Sequence, residues 1–512
     1  MHRAITGLGS RAVARTCTGR APLPLAGSLC VCVLAAMLVP GCATDQRRDI
    51  GLYRAIADPP GAETAPATAP GSGPENAKAA ASSMSLIDAL RHTAMLNERL
   101  AIRGEEYVQA LAERQRAAAA LLPTIDLFST AAVRENTASA GVVQSSFGGT
   151  GQYRLLTGLS DLRTVDAGDA TSEARRWLIL DLRESLLLET AAAYYESLRA
   201  ERLVRVLESS AAVQEERLRD ARVRNEVGFA RPLDVAQNEA QVSRTRTQLI
   251  AAQRQVREAR ATLSLLTGVP AAGVMLSDGY EIPAEERDLP ALVALAELHR
   301  QDLLAARSDA HAARSLVDAA IGRFAPTISL NLDYFIARGP DDTAAAVASL
   351  IELRVPVFSA GRIEAEVRSA WSVFRQRVLE YRLRVREASR DVEIALIRLR
   401  SSVERARELR TQVRAARDAL TLAEASYRAG LGTNLELVTA QDQLLTAELE
   451  AASEEFTTKA AMLALRRACG LLSVDMLQSP LPEATPGAPP DSPLLDRVAG
   501  RPAAAANSPE QP

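Results

Sequence analysis

The residue types that carry most enzyme chemistry are few in this 512-residue chain and stand far apart. The four histidines share no short metal-ligand spacing: His2, His92, His299 and His311. Four of the five cysteines fall in the first 42 residues, and Cys469 stands alone in the rest of the chain. The chain shows no disulfide framework, no nucleophile with a histidine partner and no phosphate-binding loop. The sequence therefore predicts a protein that is not an enzyme and binds no metal or cofactor.

The acidic and small polar side chains, in contrast, fall on regular patterns. In "TISLNLDYFIA", residues 327–337, apolar and polar residues alternate one by one. This period of two predicts a strand with one apolar face and one face that carries Ser329, Asn331 and Asp333.

This strand belongs to an internal repeat. "LLPTIDL" at 121–127 matches "FAPTISL" at 324–330, and the match places Asp126 on the polar face of an earlier strand. Two pairs of glycines recur with the same offset of 202 residues: Gly228 with Gly430, and Gly268 with Gly470. The chain is therefore predicted to contain two repeats, over 85–270 and 271–472.

Each repeat is predicted to run helix, strand, strand, very long helix, tight tip and second helix. In the second repeat, mostly apolar residues recur in alternating steps of three and four from Val378 to Tyr427, which is the seam of a coiled coil. The first repeat shows a looser version from Leu186 to Ala221. A helix over 168–225 would be about 87 Å long at ~1.5 Å per residue, so we expect long antiparallel helical hairpins.

Four strands are predicted, over about 124–134, 152–162, 326–337 and 347–357. Each is near the ~9–11 residues of a tilted membrane strand. The Ser- and Gly-rich stretch 135–151 is expected to be a hairpin loop. Four strands cannot close a barrel, since about eight are needed, whereas three chains would supply about twelve. After the N-terminal segment no apolar run of ~18 residues occurs, so no membrane-spanning helix is expected.

The N-terminal segment has the pattern of a secreted lipoprotein. A basic start is followed by an apolar run and by "LVPGC", residues 38–42. Residues 1–41 are predicted to be the signal peptide and Cys42 the lipid-carrying residue. The alternative is an ordinary secretory signal with an incidental cysteine. Ala43 occupies the next position, where an Asp would favour inner-membrane retention, so the outer membrane is the expected location.

Two segments have the composition of disordered chain. Residues 42–84 are rich in Pro, Ala and Gly and are predicted to be a flexible linker between the lipid anchor and the body. Residues 473–512 are predicted to be a disordered tail. The formal net charge of −3 argues against a nucleic-acid-binding surface.

Four motifs, in order, resemble a known family. They are "RNEVGFARPLDVAQNEAQ" (224–241), "HRQDLLAARSDAHAARS" (299–315), "PVFSAGR" (356–362) and "YRAGLGTNLELVTAQDQLLTAELE" (427–450). Together they resemble the TolC family of outer-membrane efflux proteins, in its lipoprotein branch, over roughly 85–472.

The resemblance implies a mainly α protein whose four strands per chain join a trimeric twelve-stranded barrel in the outer membrane. Long helical hairpins form a tunnel through the periplasm. The implied partners are two further copies of the chain, a periplasmic membrane-fusion adaptor, an inner-membrane pump, of RND rather than ABC type, and outer-membrane lipid. The protein is expected to be lipid-anchored in the outer membrane and to extend into the periplasm.

The resemblance also implies functional positions. Acidic residues shortly after the second tip narrow the periplasmic entrance in this family, and the matching residues are Glu436 and Thr439, of which only Glu436 is acidic. Three copies of Glu436 would form a carboxylate ring. The alternative is that Glu436, three residues after Thr433, only completes a capping box.

Six tip residues match the positions that contact the adaptor: Val227, Gly228, Phe229, Ala429, Gly430 and Leu431. The alternative is that the glycines serve the turn alone. Exposed Phe229 and Leu431 would favour a partner. On the strands, four residues are expected to face a water-filled lumen, with the apolar face toward lipid: Asp126, Ser329, Asn331 and Asp333.

The resulting functional hypothesis is a passive exit duct for small molecules in a tripartite efflux system. The first alternative is the outer-membrane duct of a type I protein secretion system. An alternative of another class is a non-conducting periplasmic scaffold, which would have no need of alternating strands.

Overall fold

The computed structural model describes residues 83–136, 139–282, 288–338 and 346–474. The predicted signal peptide, Cys42, the linker up to residue 82 and the tail from residue 475 lie outside the described residues. The last two residues of the predicted linker, Ser83 and Met84, belong to a short strand.

The described elements follow the same plan twice. The first repeat comprises β1 (Ser83–Ser85), α1 (Leu86–Leu96), α2 (Glu98–Ala119), β2 (Thr124–Asn136), β3 (Ser139–Thr157), α3 (Ser160–Glu226) and α4 (Pro232–Thr267). The second comprises β4 (Met275–Ser277), α5 (Leu289–His299), α6 (Gln301–Gly322), β5 (Thr327–Arg338), β6 (Val347–Arg354), α7 (Arg362–Arg428) and α8 (Asn434–Ala468).

The two long helices, α3 and α7, have 67 residues each, so each is about 100 Å long. In α7 the buried residues Val392, Ala395, Leu399 and Ser402 recur in steps of three and four, as the seam predicted. This seam packs against α8, and α3 packs against α4. Each repeat therefore contains one long antiparallel helical hairpin.

The strands β2, β3, β5 and β6 form one antiparallel sheet in that order. Three predicted strands are close to β2, β5 and β6, although β6 ends at Arg354, before the expected residue 357.

The prediction for the second strand is wrong. We expected a loop over 135–151 and a strand over 152–162, whereas β3 spans Ser139–Thr157 and α3 starts at Ser160. Glycine is a poor strand former, but β3 lies between β2 and β5 and pairs with both, which outweighs local preference. A Cβ atom at Gly148 would lie 2.3 Å from the Tyr334 carbonyl oxygen. Only glycine therefore fits at this position, where β3 lies against β5.

The main core lies away from the sheet, where the ends of both repeats meet. It includes Tyr194 and Tyr195 of α3, Leu292 of α5 and Leu463 of α8. Beside it, β1 pairs in parallel with β4. The buried Tyr194 hydroxyl lies 2.9 Å from the Met84 carbonyl oxygen and 2.7 Å from that of Ser277, which ties this small sheet to α3.

None of the helices in the described part of the chain is both long and apolar enough to cross a membrane.

Candidate functional site

The four-stranded sheet has two chemically distinct faces. The strand register places Asp126 opposite Thr150 and Thr150 opposite Asp333, so these three side chains lie in one row on one face. Because neighbouring strands are ~4.8 Å apart, the two aspartates are separated by about 10 Å. Ser329 and Asn331 follow on the same face, opposite Glu352 and Leu350 of β6. The four residues predicted to share a polar face therefore do so, although Ala348 and Leu350 of β6 place apolar side chains on the same face.

The opposite face is apolar and exposed. Ile125 and Ile351 are 80% and 70% exposed, which is unusual for large aliphatic side chains. Ser349, opposite Leu332, is a polar member of this face. The large members alternate with the polar row: Ile125, Leu127, Ile328, Leu330, Leu332, Tyr334, Ile336, Val347, Ile351 and Leu353. This surface must meet something other than water.

An aromatic pair on the polar face was not predicted. Phe128 and Phe335 are both opposite Gly148, and their rings stack edge to face with centroids 5.5 Å apart. The rings meet because Gly148 has no side chain between them. The alternation of β5 already put Phe335 on this face, but its partner could be found only from the register of β3.

The first tip joins α3 to α4. Gly228 has a φ of +80°, and a Cβ atom there would meet nothing within 4 Å, so its backbone angle alone calls for glycine. The Phe229 and Ala230 amides both donate to the Arg224 carbonyl oxygen, at 2.7 and 3.1 Å. This closure leaves Phe229 86% exposed at the apex.

The second tip, between α7 and α8, has the same backbone. Gly430 has a φ of +75° and open space around it. The Leu431 and Gly432 amides donate to the Ser426 carbonyl oxygen, at 2.9 and 3.1 Å. Leu431 is 87% exposed. The structure thus presents one large apolar side chain at each apex, on a turn that the glycines make possible.

The predicted gate residues lie just after this second tip. The Glu436 carboxylate accepts from the Thr433 amide at 3.1 Å, and the Glu436 amide donates to Thr433 Oγ1 at 3.2 Å, which completes the capping box. Both Glu436 and Thr439 are exposed. The Thr439 hydroxyl donates to the Leu435 carbonyl oxygen, so it faces along its own helix.

The two hairpins are joined near their tips by polar contacts that sequence reasoning missed. Arg217 of α3 forms a half-buried ion pair with Glu424 of α7. Burial lowers the pKa of the Arg217 guanidinium, against the opposing effect of Glu424. The Asn238 side-chain amide donates to Asn434 Oδ1 at 3.2 Å, and Arg224 lies 5.7 Å from the centre of the Tyr427 ring. No local motif marks pairs that are about 200 residues apart.

The two candidate surfaces lie at opposite ends of the long helices. α3 begins directly after β3 and ends at the first tip, and α7 begins after β6 and ends at the second tip. A sheet with one apolar and one polar face, joined to paired helical hairpins in a duplicated plan, defines the class of outer-membrane export channels.

Comparison with known proteins assigns the family. The family model for "Outer membrane efflux protein" matches residues 105–269 and 292–471. This chain belongs to the outer membrane efflux protein family.

The curated relatives are distant in sequence, and their names agree with the family. The outer membrane efflux protein BepC of Brucella suis biovar 1 is 26% identical over 340 residues, which cover 63% of this chain and 71% of BepC. The toluene efflux pump outer membrane protein TtgC of Pseudomonas putida is 27% identical over 299 residues, 56% of this chain and 60% of TtgC. Both relatives are outer-membrane proteins of efflux.

Solved structures share the fold. The outer-membrane channel OprN aligns with a TM-score of 0.67 at 21% identity, covering 75% of this chain and 89% of OprN. VceC from Vibrio cholerae also aligns with a TM-score of 0.67, at 20% identity, covering 75% of this chain and 96% of VceC.

Proposed function

We propose that three copies of this chain form a passive exit duct in the outer membrane, the last component of a tripartite efflux system for small molecules. The observation that carries this proposal is the two-faced sheet. Its apolar face fits lipid, and the face with Asp126, Ser329, Asn331 and Asp333 fits a water-filled lumen. In the described chain, β2 and β6 pair on one side only, so β6 of one copy can pair with β2 of the next to make twelve strands.

A non-conducting scaffold gains nothing from such a sheet. A scaffold needs long helices and docking surfaces, and it has no use for a polar row aligned across strands and backed by exposed Ile and Leu. The duct hypothesis accounts for both faces of the sheet and for the family.

The tips are the proposed contact with a periplasmic adaptor, which would link the duct to an inner-membrane pump. Phe229 and Leu431 are almost fully exposed on short, hydrogen-bonded turns. Exposed apolar side chains at a defined position are typical of protein contacts. The lipobox-like sequence before Cys42 supports the lipoprotein branch, which favours small-molecule efflux through an RND-type pump over type I protein secretion.

Orientation of the sheet is tested by adjacent cysteine variants. The variants are Asn331→Cys and Leu332→Cys, at adjacent positions whose side chains lie on opposite faces of the sheet. In planar bilayers, a charged thiol reagent is expected to reduce the conductance of Asn331→Cys and to leave that of Leu332→Cys unchanged. Equal block of both variants, or no conductance from the wild type, would contradict the duct.

The gate role of Glu436 is tested by its charge. If three Glu436 carboxylates line the entrance, Glu436→Gln reduces the preference for cations over anions in the same recordings. Asp234→Asn is the matched control, because Asp234 holds the same position after the first tip and is buried. Unchanged selectivity in Glu436→Gln would leave only the capping role.

The lipid anchor has its own test. Mass spectrometry of the mature protein from a Gram-negative host is expected to show a lipid-modified N-terminal Cys42. Cys42→Ser is expected to lack the modification, and an unmodified wild type would contradict the anchor.

A further inference from the structure

A buried carboxylate lies where the first repeat meets the second, far along the helices from both candidate surfaces. Glu184 of α3 is only 7% exposed. Its Oε1 accepts from the side-chain amide of Gln301, the first residue of α6, at 2.7 Å. Its Oε2 lies 3.5 Å from Arg467 Nη1 of α8. Glu184 therefore contacts two elements of the second repeat at once.

The charges around Glu184 do not balance it. Arg467 is the facing cation, and it also pairs with Asp181, one turn earlier on α3. Asp302 faces Glu184 from the start of α6 and is bound by Arg300 at 2.8 Å. Arg300 also contacts Asp391 of α7 at 3.3 Å. Arg467 is shared with Asp181, and Arg300 is paired with Asp302 and Asp391. Glu184 therefore adds a carboxylate to a site that already holds these three.

The helix α2 also packs against α3 near Glu184, and its contact is apolar. α2 packs against α3 through Leu100 and Tyr107, which cluster with Ile179 and Leu186 on either side of Glu184. Burial raises the pKa of the Tyr107 hydroxyl as well, against the opposing effect of Arg176 on α3. The charged groups that act on Glu184 are Arg467, Asp181 and Asp302, none of which belongs to α2.

An ionised Glu184 carboxylate has few hydrogen-bond donors in this site. Of the residues that the structure describes, none makes a hydrogen bond to the buried atoms Glu184 Oε2, Gln301 Oε1 or Arg467 Nη1. Burial raises the pKa of Glu184 to about 7, against the opposing effects of Arg467 and the Gln301 hydrogen bond. A neutral carboxyl is therefore compatible with this environment near neutral pH.

We propose that Glu184 makes the contact between the two repeats proton-dependent: with a neutral carboxyl it holds α3 firmly against α6 and α8, and loss of the proton loosens this joint. The contact lies in the helical region, so it acts independently of how the sheet and the tips are used.

The direction follows from proton linkage. At a pH between the ordinary value of 4.5 and about 7, the packed state binds a proton on Glu184 that the opened state does not. The packed state is therefore favoured most below about pH 4.5, and the ratio of packed to opened joint falls by up to about tenfold per pH unit as the pH rises toward 7.

The experiment is hydrogen exchange of the full-length protein in detergent, read by mass spectrometry on peptides that cover 178–190 and 300–308. Each is compared with Glu184→Gln at the same pH, which cancels the pH dependence of intrinsic exchange. Between pH 5 and pH 7.5, wild-type protection in these peptides is expected to fall at least tenfold relative to Glu184→Gln. A constant ratio over this range would overturn the proposal.

Two further variants separate proton binding from packing. Glu189→Gln is the matched control, since Glu189 is on the same helix but about half exposed and paired with Arg99 at 3.0 Å. Its pH profile is expected to match the wild type. Arg467→Gln removes the facing cation, so the midpoint of the wild-type transition is expected to move to higher pH. A midpoint that does not move in Arg467→Gln would contradict the proposal. So would a Glu189→Gln pH profile as flat as that of Glu184→Gln.

Discussion

The two hairpin tips have the same backbone and different carboxylates. Asp234 follows the first tip by the same number of residues as Glu436 follows the second, and each accepts a hydrogen bond from the amide three residues before it. Asp234 is 7% exposed and paired with Arg231 at 3.0 Å, whereas Glu436 is exposed. The helix cap recurs in both repeats, but of the two carboxylates only that of Glu436 is exposed to solvent.

This difference teaches that equivalent positions of the two repeats can make the same cap and still differ in burial. The first tip uses its carboxylate for structure, and the buried Asn238 beside it contacts Asn434 of the second tip. Asn434, at the start of the helix that carries Glu436, is therefore held by a contact from the first tip. Four predictions test this division, in order of decreasing effect on stability.

Breaking the ion pair between the hairpins is expected to have the largest effect. Glu424→Gln leaves the half-buried Arg217 guanidinium without its partner, so we expect a loss of about 2 kcal/mol in the free energy of unfolding. Denaturant unfolding in detergent measures it. The control is Glu258→Gln, an exposed pair with Arg254 that should change stability by less than about 0.5 kcal/mol. Equal losses would mean that the tips do not depend on each other.

Removing each cap separately tests the comparison directly. Asp234→Ala removes a buried cap and is expected to cost about 1.5 kcal/mol, while Glu436→Ala removes an exposed one and is expected to cost about 0.5–1 kcal/mol. The same unfolding measurement applies. A larger loss of unfolding free energy in Glu436→Ala than in Asp234→Ala would show that the exposed cap, and not the buried one, contributes more to stability.

The turn glycines, in contrast, should behave alike. Gly228→Ala and Gly430→Ala each force a side chain into the left-handed region, at a cost of about 1 kcal/mol in either tip. Neither has a neighbour within 4 Å of the added atom, so strain is the only cause. Gly279→Ala, also in open space but without a positive φ, is expected to be neutral in the same assay. A clear difference between the two tips would show that their backbones are not equivalent.

The apolar apex residues should matter least for stability and most for a partner. Phe229→Ser and Leu431→Ser are expected to change the free energy of unfolding by less than about 0.5 kcal/mol, because both side chains are exposed. Each is expected to weaken binding of a purified adaptor, measured by biolayer interferometry, by about tenfold or more. Leu265→Ser, at a 73% exposed position near the other end of α4, is the control and should bind normally. Unweakened binding by both tip variants would remove the tips as the contact.

Several features of the fold could be predicted because they depend on residues close in sequence. The seam of α7, the glycines of the two tips and the alternation of β5 are local patterns. They were enough to predict the repeated plan and the polar row on β5. Strand β3 was missed because its Ser- and Gly-rich composition locally favours a loop, and only its pairing with β2 and β5 makes it a strand.

The sequence by itself determined the duplicated plan, the long helical hairpins and the tight tips, since helix periodicity and left-handed glycines act over a few residues. The tertiary structure alone decided which Gly-rich segment enters the sheet and which tip carboxylate is buried. It also decided that Arg217 meets Glu424 and that Glu184 meets Arg467. These pairs are about 200 and 280 residues apart, and their energies depend on burial, which no local pattern reports.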